Sequence, residues 1–142
     1  MSIYNQGPPG LGHVGSYQVS GKPFVSGGID VSLYTNGPLE ITFPSVTRWI
    51  IVRNSSSGVS NNSKRVLVAA SANGITTGEY FIVNDNYTDA TYNRQSRTPR
   101  LELKLTKLYL SGAADNVDVI AGLTGIPTST ITNNWSGSEG VG

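Results

Sequence analysis

The residues of this chain that could do chemistry are few and poorly spaced for it. Gly10-Leu11-Gly12-His13-Val14-Gly15 matches, letter by letter, the G-x-G-x-x-G loop that cradles a dinucleotide. Such a loop works because a strand feeds into it and a helix N-terminus follows, aiming backbone N–H groups at the pyrophosphate. Here Pro8-Pro9 precede it and the strand-like Tyr17-Gln18-Val19 follow, so neither flank can do that work. His13 is the only histidine, and no Cys or spaced carboxylate near it could complete a metal site or a triad. It is expected to be a solvated residue.

Asp85, Asn86 and Asp89 share one loop and offer oxygen ligands to a hard cation, but the spacing of an EF-hand is absent, and acidic loop residues ordinarily cap turns. Arg94, Arg97 and Arg100, with Tyr87 and Tyr92 nearby, form the densest basic patch and could meet phosphate or an acidic partner. Three arginines in a nearly neutral chain make a weak nucleic-acid site, so a solvated loop is expected, with an intersubunit ion pair as the variant of interest. Asn54-Ser55-Ser56, Asn61-Asn62-Ser63, Asn86-Tyr87-Thr88 and Asn134-Trp135-Ser136 fit the glycosylation sequon, which an Asn- and Ser-rich chain generates by chance. No nucleophile has a base beside it. The expectation is a protein that is no enzyme, with no catalytic, cofactor-binding or metal-binding residue.

Composition points to what positions these residues. Gly, Ser, Thr and Asn together make up 59 of 142 residues, while charged residues are only 13%. Those types disfavour helix interiors and favour turns and strands, so the fold class is all-β with many connections. A chain of 142 residues fits one domain and, with no Cys, folds without disulfide or Cys-ligated metal. A formal charge of +1 supplies no field to draw in nucleic acid or an anionic membrane. Apolar runs such as Trp49-Ile50-Ile51-Val52 are far short of a membrane span, and Met1 to Gln6 lack the basic start and apolar stretch of a secretory signal.

Along the chain, residues 1–15, with Gly7-Pro8-Pro9-Gly10, are expected to form an extended N-terminal arm, residues 16–127 a β-sandwich domain, and residues 128–142 a polar C-terminal tail. Trp135 in that tail is expected to anchor in a groove of this subunit or a neighbour. Within the domain, Ser16–Ser20 and Pro23–Ser26 are short strand candidates. Ile29, Val31 and Leu33, then Leu39, Ile41 and Phe43, alternate about Asn36-Gly37-Pro38 and predict a hairpin. Val46–Arg53 predicts a buried strand, Asn54–Ser63 an exposed loop, Arg65–Ala70 a strand, Asn73-Gly74 a turn, Glu79–Val83 a strand and Val117–Ala121 another. Between Arg100 and Leu110 the apolar phase switches: Leu101, Leu103 and Leu105 share one face, Leu108 and Leu110 the other. Keeping all five on one core predicts a single bent strand with a β-bulge near Thr106-Lys107. About eight strands separated by turn signals predict a single antiparallel β-sandwich of jelly-roll type.

The opening NQGPPGLGHVGSYQVSG, the central ITFPSVTRWIIVRN and the closing RLELKLTKLYLSG with VDVIAGLTGIP resemble small virion structural proteins of tailed phages and related aquatic viruses. The resemblance implies a capsid decoration, cement or minor capsid protein with no catalytic residues, bound to the major capsid protein or other virion proteins. It also implies a place on the capsid surface after assembly in the host cytoplasm. A closed homo-oligomer, such as a trimer, would place copies of the arm around a symmetry axis of the shell, and the charge of +1 leads to no expected nucleic-acid or membrane partner. The alternatives are a carbohydrate-binding β-sandwich module and a tail or fibre component. A carbohydrate module would need two or three coplanar aromatics on one solvated face, for which Tyr80, Tyr109 and Trp49 are the candidates.

Overall fold

Val117, Val119 and Ala121 alternate with Asp118 and Ile120, and the strand they form is the centre of one of two antiparallel sheets. The computed structural model describes residues 22–60, 63–86, 96–130 and 137–142. Its strands are β1 (Lys22–Ile29), β2 (Leu39–Thr42), β3 (Thr47–Asn54), β4 (Val66–Ala69), β5 (Phe81–Val83), β6 (Lys107–Gly112) and β7 (Val117–Leu123), with one short helix, α1 (Ala72–Thr77). The first sheet has the order β1-β7-β3 and the second β2-β6-β4-β5. Two isolated antiparallel bridges, Ile50 with Leu101 and Arg53 with Arg97, extend the first sheet beyond β3.

One core lies between the sheets. Ile50 and Val52 from β3 and Val117, Val119 and Ala121 from β7 share it with Ile41, Leu108, Leu110, Val66 and Val68 of the second sheet. The rings of Phe24 and Phe43 meet edge to face there, with centroids 5.0 Å apart. The protein is thus mostly β, with the layered arrangement of a sandwich. The strands expected at Val46–Arg53, Arg65–Ala70, Glu79–Val83 and Val117–Ala121 are present within a few residues. Candidate strand Ser16–Ser20 and the arm, residues 1–15, lie outside the described residues.

The segment expected to be one bulged strand does something else. Leu101 and Ile50 exchange reciprocal backbone hydrogen bonds of 2.9 Å, so this part runs along β3 in the first sheet. Farther on, Thr47 N–H donates to the Leu105 carbonyl (2.9 Å), and the Thr47 hydroxyl donates to the Leu103 carbonyl (2.6 Å) while accepting from the Leu105 N–H (2.9 Å). From Lys107 the chain pairs with β2 and β4 in the second sheet. The change of phase therefore marks a crossing from one sheet to the other, centred on the buried Thr106, whose carbonyl accepts from Phe43 N–H (2.9 Å). Leu105, Leu108 and Leu110 are buried and Leu101 packs against the core, but Leu103 is 38% exposed.

Two further expectations are corrected. There is no hairpin about Asn36-Gly37-Pro38, because β1 and β2 belong to different sheets. The Asp30 carboxylate accepts from Ser32 N–H (3.0 Å) and caps a 3-10 turn over Val31–Leu33. Val31 and Ser32 N–H both donate to the Ala114 carbonyl, so Val31 is buried and Leu33 is left 74% exposed. Asn73-Gly74 is not a turn between strands but part of α1, capped by the Ser71 hydroxyl and ended by Gly78 at φ 89°. Ser71 also donates to the Val141 carbonyl (2.9 Å), tying the last residues of the chain to that helix.

Candidate interaction surfaces

The two sheets present different outer faces. On the second, the Glu40 carboxylate receives Lys107 Nζ (3.0 Å), the Thr42 hydroxyl (3.1 Å) and the Tyr109 hydroxyl (3.4 Å). Lys107 holds the Glu40 carboxyl below its ordinary range and is itself raised by Glu40, while burial raises the Tyr109 hydroxyl. On the first sheet, Val25, Ile120 and Ile51 stand in register across β1, β7 and β3, with Trp49 one pair along on β3. Val25 is 69% exposed and the other three are half-buried. A three-strand apolar stripe turned outward is unusual for a solvated sheet face.

These positions separate the proposed aromatic platform. Trp49 is on the outer face of the first sheet, Tyr109 on the outer face of the second, and Tyr80 precedes β5, so the three do not share a plane. Tyr80 instead joins Phe81, Leu103, Leu105, Val68 and Val141 around an apolar groove of about 330 Å³. A second groove of about 570 Å³ lies beside the start of β1, between Lys22, Pro23, Phe24, Pro44, Thr124 and Pro127. Its floor is fixed because Thr124 donates from N–H (2.8 Å) and hydroxyl (2.6 Å) to the Val46 carbonyl, while Val46 N–H donates to the Ile126 carbonyl (3.0 Å).

The residues singled out for chemistry are dispersed. Asp85 is buried, and its carboxylate accepts from Lys64 N–H (2.9 Å), so it organises the loop after β3. Among the described residues no group of three or more His, Cys, Asp or Glu side chains could hold a metal ion. Arg97 bridges Arg53 through the backbone, and Arg100 pairs with its neighbour Glu102 (3.0 Å). His13 and the glycine run around it, Asn61, Asn62, Tyr87, Asp89, Tyr92, Arg94, Asn134 and Trp135 lie outside the described residues. No described helix is long and apolar enough to cross a membrane.

Sequence reasoning missed a polar hub at the end of the sandwich. Asn54 is fully buried; its side-chain amide donates to the carbonyls of Lys64 (2.8 Å) and Val83 (3.3 Å), and its oxygen accepts from Ser56 N–H (3.1 Å). The Ser56 hydroxyl accepts from the N–H groups of Asp115 and Asn116, and Lys64 pairs with Asp115, holding that carboxyl below its ordinary range. The sequon match at Asn54 is therefore a structural joint whose nitrogen no glycan can reach. An Asn closing an apolar strand was the available signal.

Compared with protein-family models, with curated proteins and with solved structures, the chain matches none of them.

Proposed function

We propose that this protein is a non-enzymatic virion structural protein, a decoration or cement subunit that binds the outer surface of a viral head, and that its fold is an eight-stranded jelly roll. The observation that carries the reading is strand order. If the Arg97–Leu101 segment bridged to β3 is counted as a strand, one sheet runs β1, β7, β3, 97–101 and the other β2, β6, β4, β5. The chain then pairs β1 with β7, β2 with β6, β3 with 97–101 and β4 with β5, the two-Greek-key connectivity used in viral capsid and lectin domains. Fold alone does not choose between those uses. Three things favour the virion: the resemblance of the sequence phrases, the separation of Trp49, Tyr80 and Tyr109 from one another, and the apolar stripe Val25-Ile120-Ile51, which suits a broad protein contact better than a sugar ring. In this reading the first sheet turns toward the shell, and the major capsid protein or another virion protein covers the stripe. Multiple copies in a homo-oligomer convert a modest single-site affinity into a firm attachment.

The experiment is to titrate purified protein onto undecorated heads and, in parallel, onto a glycan panel. Saturation at a fixed copy number per head supports the reading. Glycan binding without affinity for heads assigns the protein to the carbohydrate-binding class, and binding to tails or fibres alone moves it to that part of the particle.

A further inference from the structure

We propose that β5 of one copy pairs antiparallel with β5 of a second copy about a two-fold axis at Phe81, joining two four-stranded sheets into one. Among the described residues β5 is paired only through β4, so its other edge presents unpaired backbone groups. Proteins ordinarily guard such an edge with charge or proline. The run Tyr80-Phe81-Ile82-Val83-Asn84 has neither. Its side chains are exposed as well: Tyr80 37%, Phe81 38% and Ile82 41%, beside Leu103 at 38% on the far wall of the apolar groove. Bare edge and apolar surface thus coincide at one place, the chemistry that recognises an added strand.

Backbone geometry points to a second copy as the occupant, and charge selects the register. An axis at Ile82 would set Glu79 of one copy opposite the acidic Asp85 of the other. An axis at Phe81 sets Glu79 opposite Val83 and Tyr80 opposite Ile82, with no like charges facing. A two-fold axis at that position also sets the backbone donors and acceptors of one copy's free edge opposite those of the other. The edge is therefore complementary to itself. An isologous contact of this kind closes at two copies, so a dimer is the closed unit this edge makes. The inference goes beyond the virion reading and stands without it.

The chain has no Cys, which makes the test direct. Residues facing each other across an antiparallel pair have Cα atoms about 4.5–5.5 Å apart, within the span of a disulfide. Under mild oxidation of the full chain, Phe81→Cys is expected to cross-link into a dimer, whereas Val25→Cys, exposed on the edge strand of the other sheet, is not. Sedimentation of the wild type should show a concentration-dependent dimer, and Ile82→Lys should weaken it by about tenfold or more with unchanged circular dichroism. A wild type that stays monomeric at all concentrations, or cross-linking of Val25→Cys as fast as Phe81→Cys, overturns the proposal. Neither result bears on head binding, which is scored separately with wild-type protein.

Discussion

Arg53 and Asp118 stand directly opposite each other on β3 and β7, and both Nε (2.9 Å) and Nη2 (2.6 Å) of the arginine donate to one carboxylate oxygen. The other oxygen accepts from Gly28 N–H of β1 (3.0 Å). A single carboxylate thereby fastens all three strands of the first sheet, just beyond the end of the apolar stripe.

That geometry sets a pH dependence. Burial pushes the Asp118 carboxyl up, but the Arg53 guanidinium and the Gly28 N–H outweigh it and hold it below the usual carboxylate range. A carboxyl depressed in the folded state adds stability above its unfolded value, about 3.9, and that contribution is lost as pH falls through the folded value. Asp118→Asn should cost about 1 kcal/mol at neutral pH, since Arg53 is half-exposed, and should flatten the fall in stability below about pH 4. Urea melts at several pH values measure both.

The crossing between sheets depends on the Thr47 hydroxyl, which is buried and bonded to both Leu103 and Leu105. Thr47→Val keeps the shape and leaves two backbone groups without that partner, so a loss of about 2–3 kcal/mol is expected. Thr42→Val, on the exposed edge, should change stability by less than about 0.5 kcal/mol. Equal effects in chemical denaturation would remove Thr47 from this role.

Asn54→Ala should cost about 3 kcal/mol, because it strands the carbonyls of Lys64 and Val83 and the N–H of Ser56 in a buried place. Urea denaturation of the variant beside the wild type measures this.

Gly112 has φ 132°, and a Cβ there would lie 2.5 Å from the Arg65 carbonyl oxygen, a backbone atom that cannot swing away. Gly112→Ala should therefore destabilise by about 2 kcal/mol or more. Gly37→Ala, with open space around its Cβ, is the control and should be near neutral in a thermal melt.

Val25→Asp places a charge on the apolar stripe at its most exposed point. It should leave the melting temperature within a few degrees of wild type and reduce binding to undecorated heads by about tenfold. Unchanged head binding would move the contact away from the first sheet.

Where apolar periodicity was long and one face was buried, the sequence predicted the elements well: β3 through Ile50 and Val52, and β7 through Val117, Val119 and Ala121. The failures have local and non-local causes. At Asp30 a side-chain hydrogen bond to Ser32 outcompetes extension, so the alternation Ile29-Val31-Leu33 ends in a turn and Leu33 faces water. At Ser71 and Gly78 the start and stop signals of a helix bracket only six residues, too few to build a period. The leucines of 101–110 did announce a change of face, but two arrangements produce it, a bulge within one sheet or passage to another. Only the partners, Ile50 on one side and β2 and β4 on the other, distinguish them. The apolar stripe was hidden for the same reason, since Val25, Ile51 and Ile120 come together only through register.

The position of β7 between β1 and β3 governs how the chain can be made. During synthesis Lys22–Ile29 and Thr47–Asn54 leave the ribosome long before Val117–Leu123, the strand both must pair with. Until that last strand arrives, the first sheet has no centre, and Phe24, Ile50 and Val52 wait without the neighbours that bury them. The first sheet therefore closes only once residues 117–123 are free to pair, and nascent chains halted before residue 117 should be sensitive to protease and bound by chaperones.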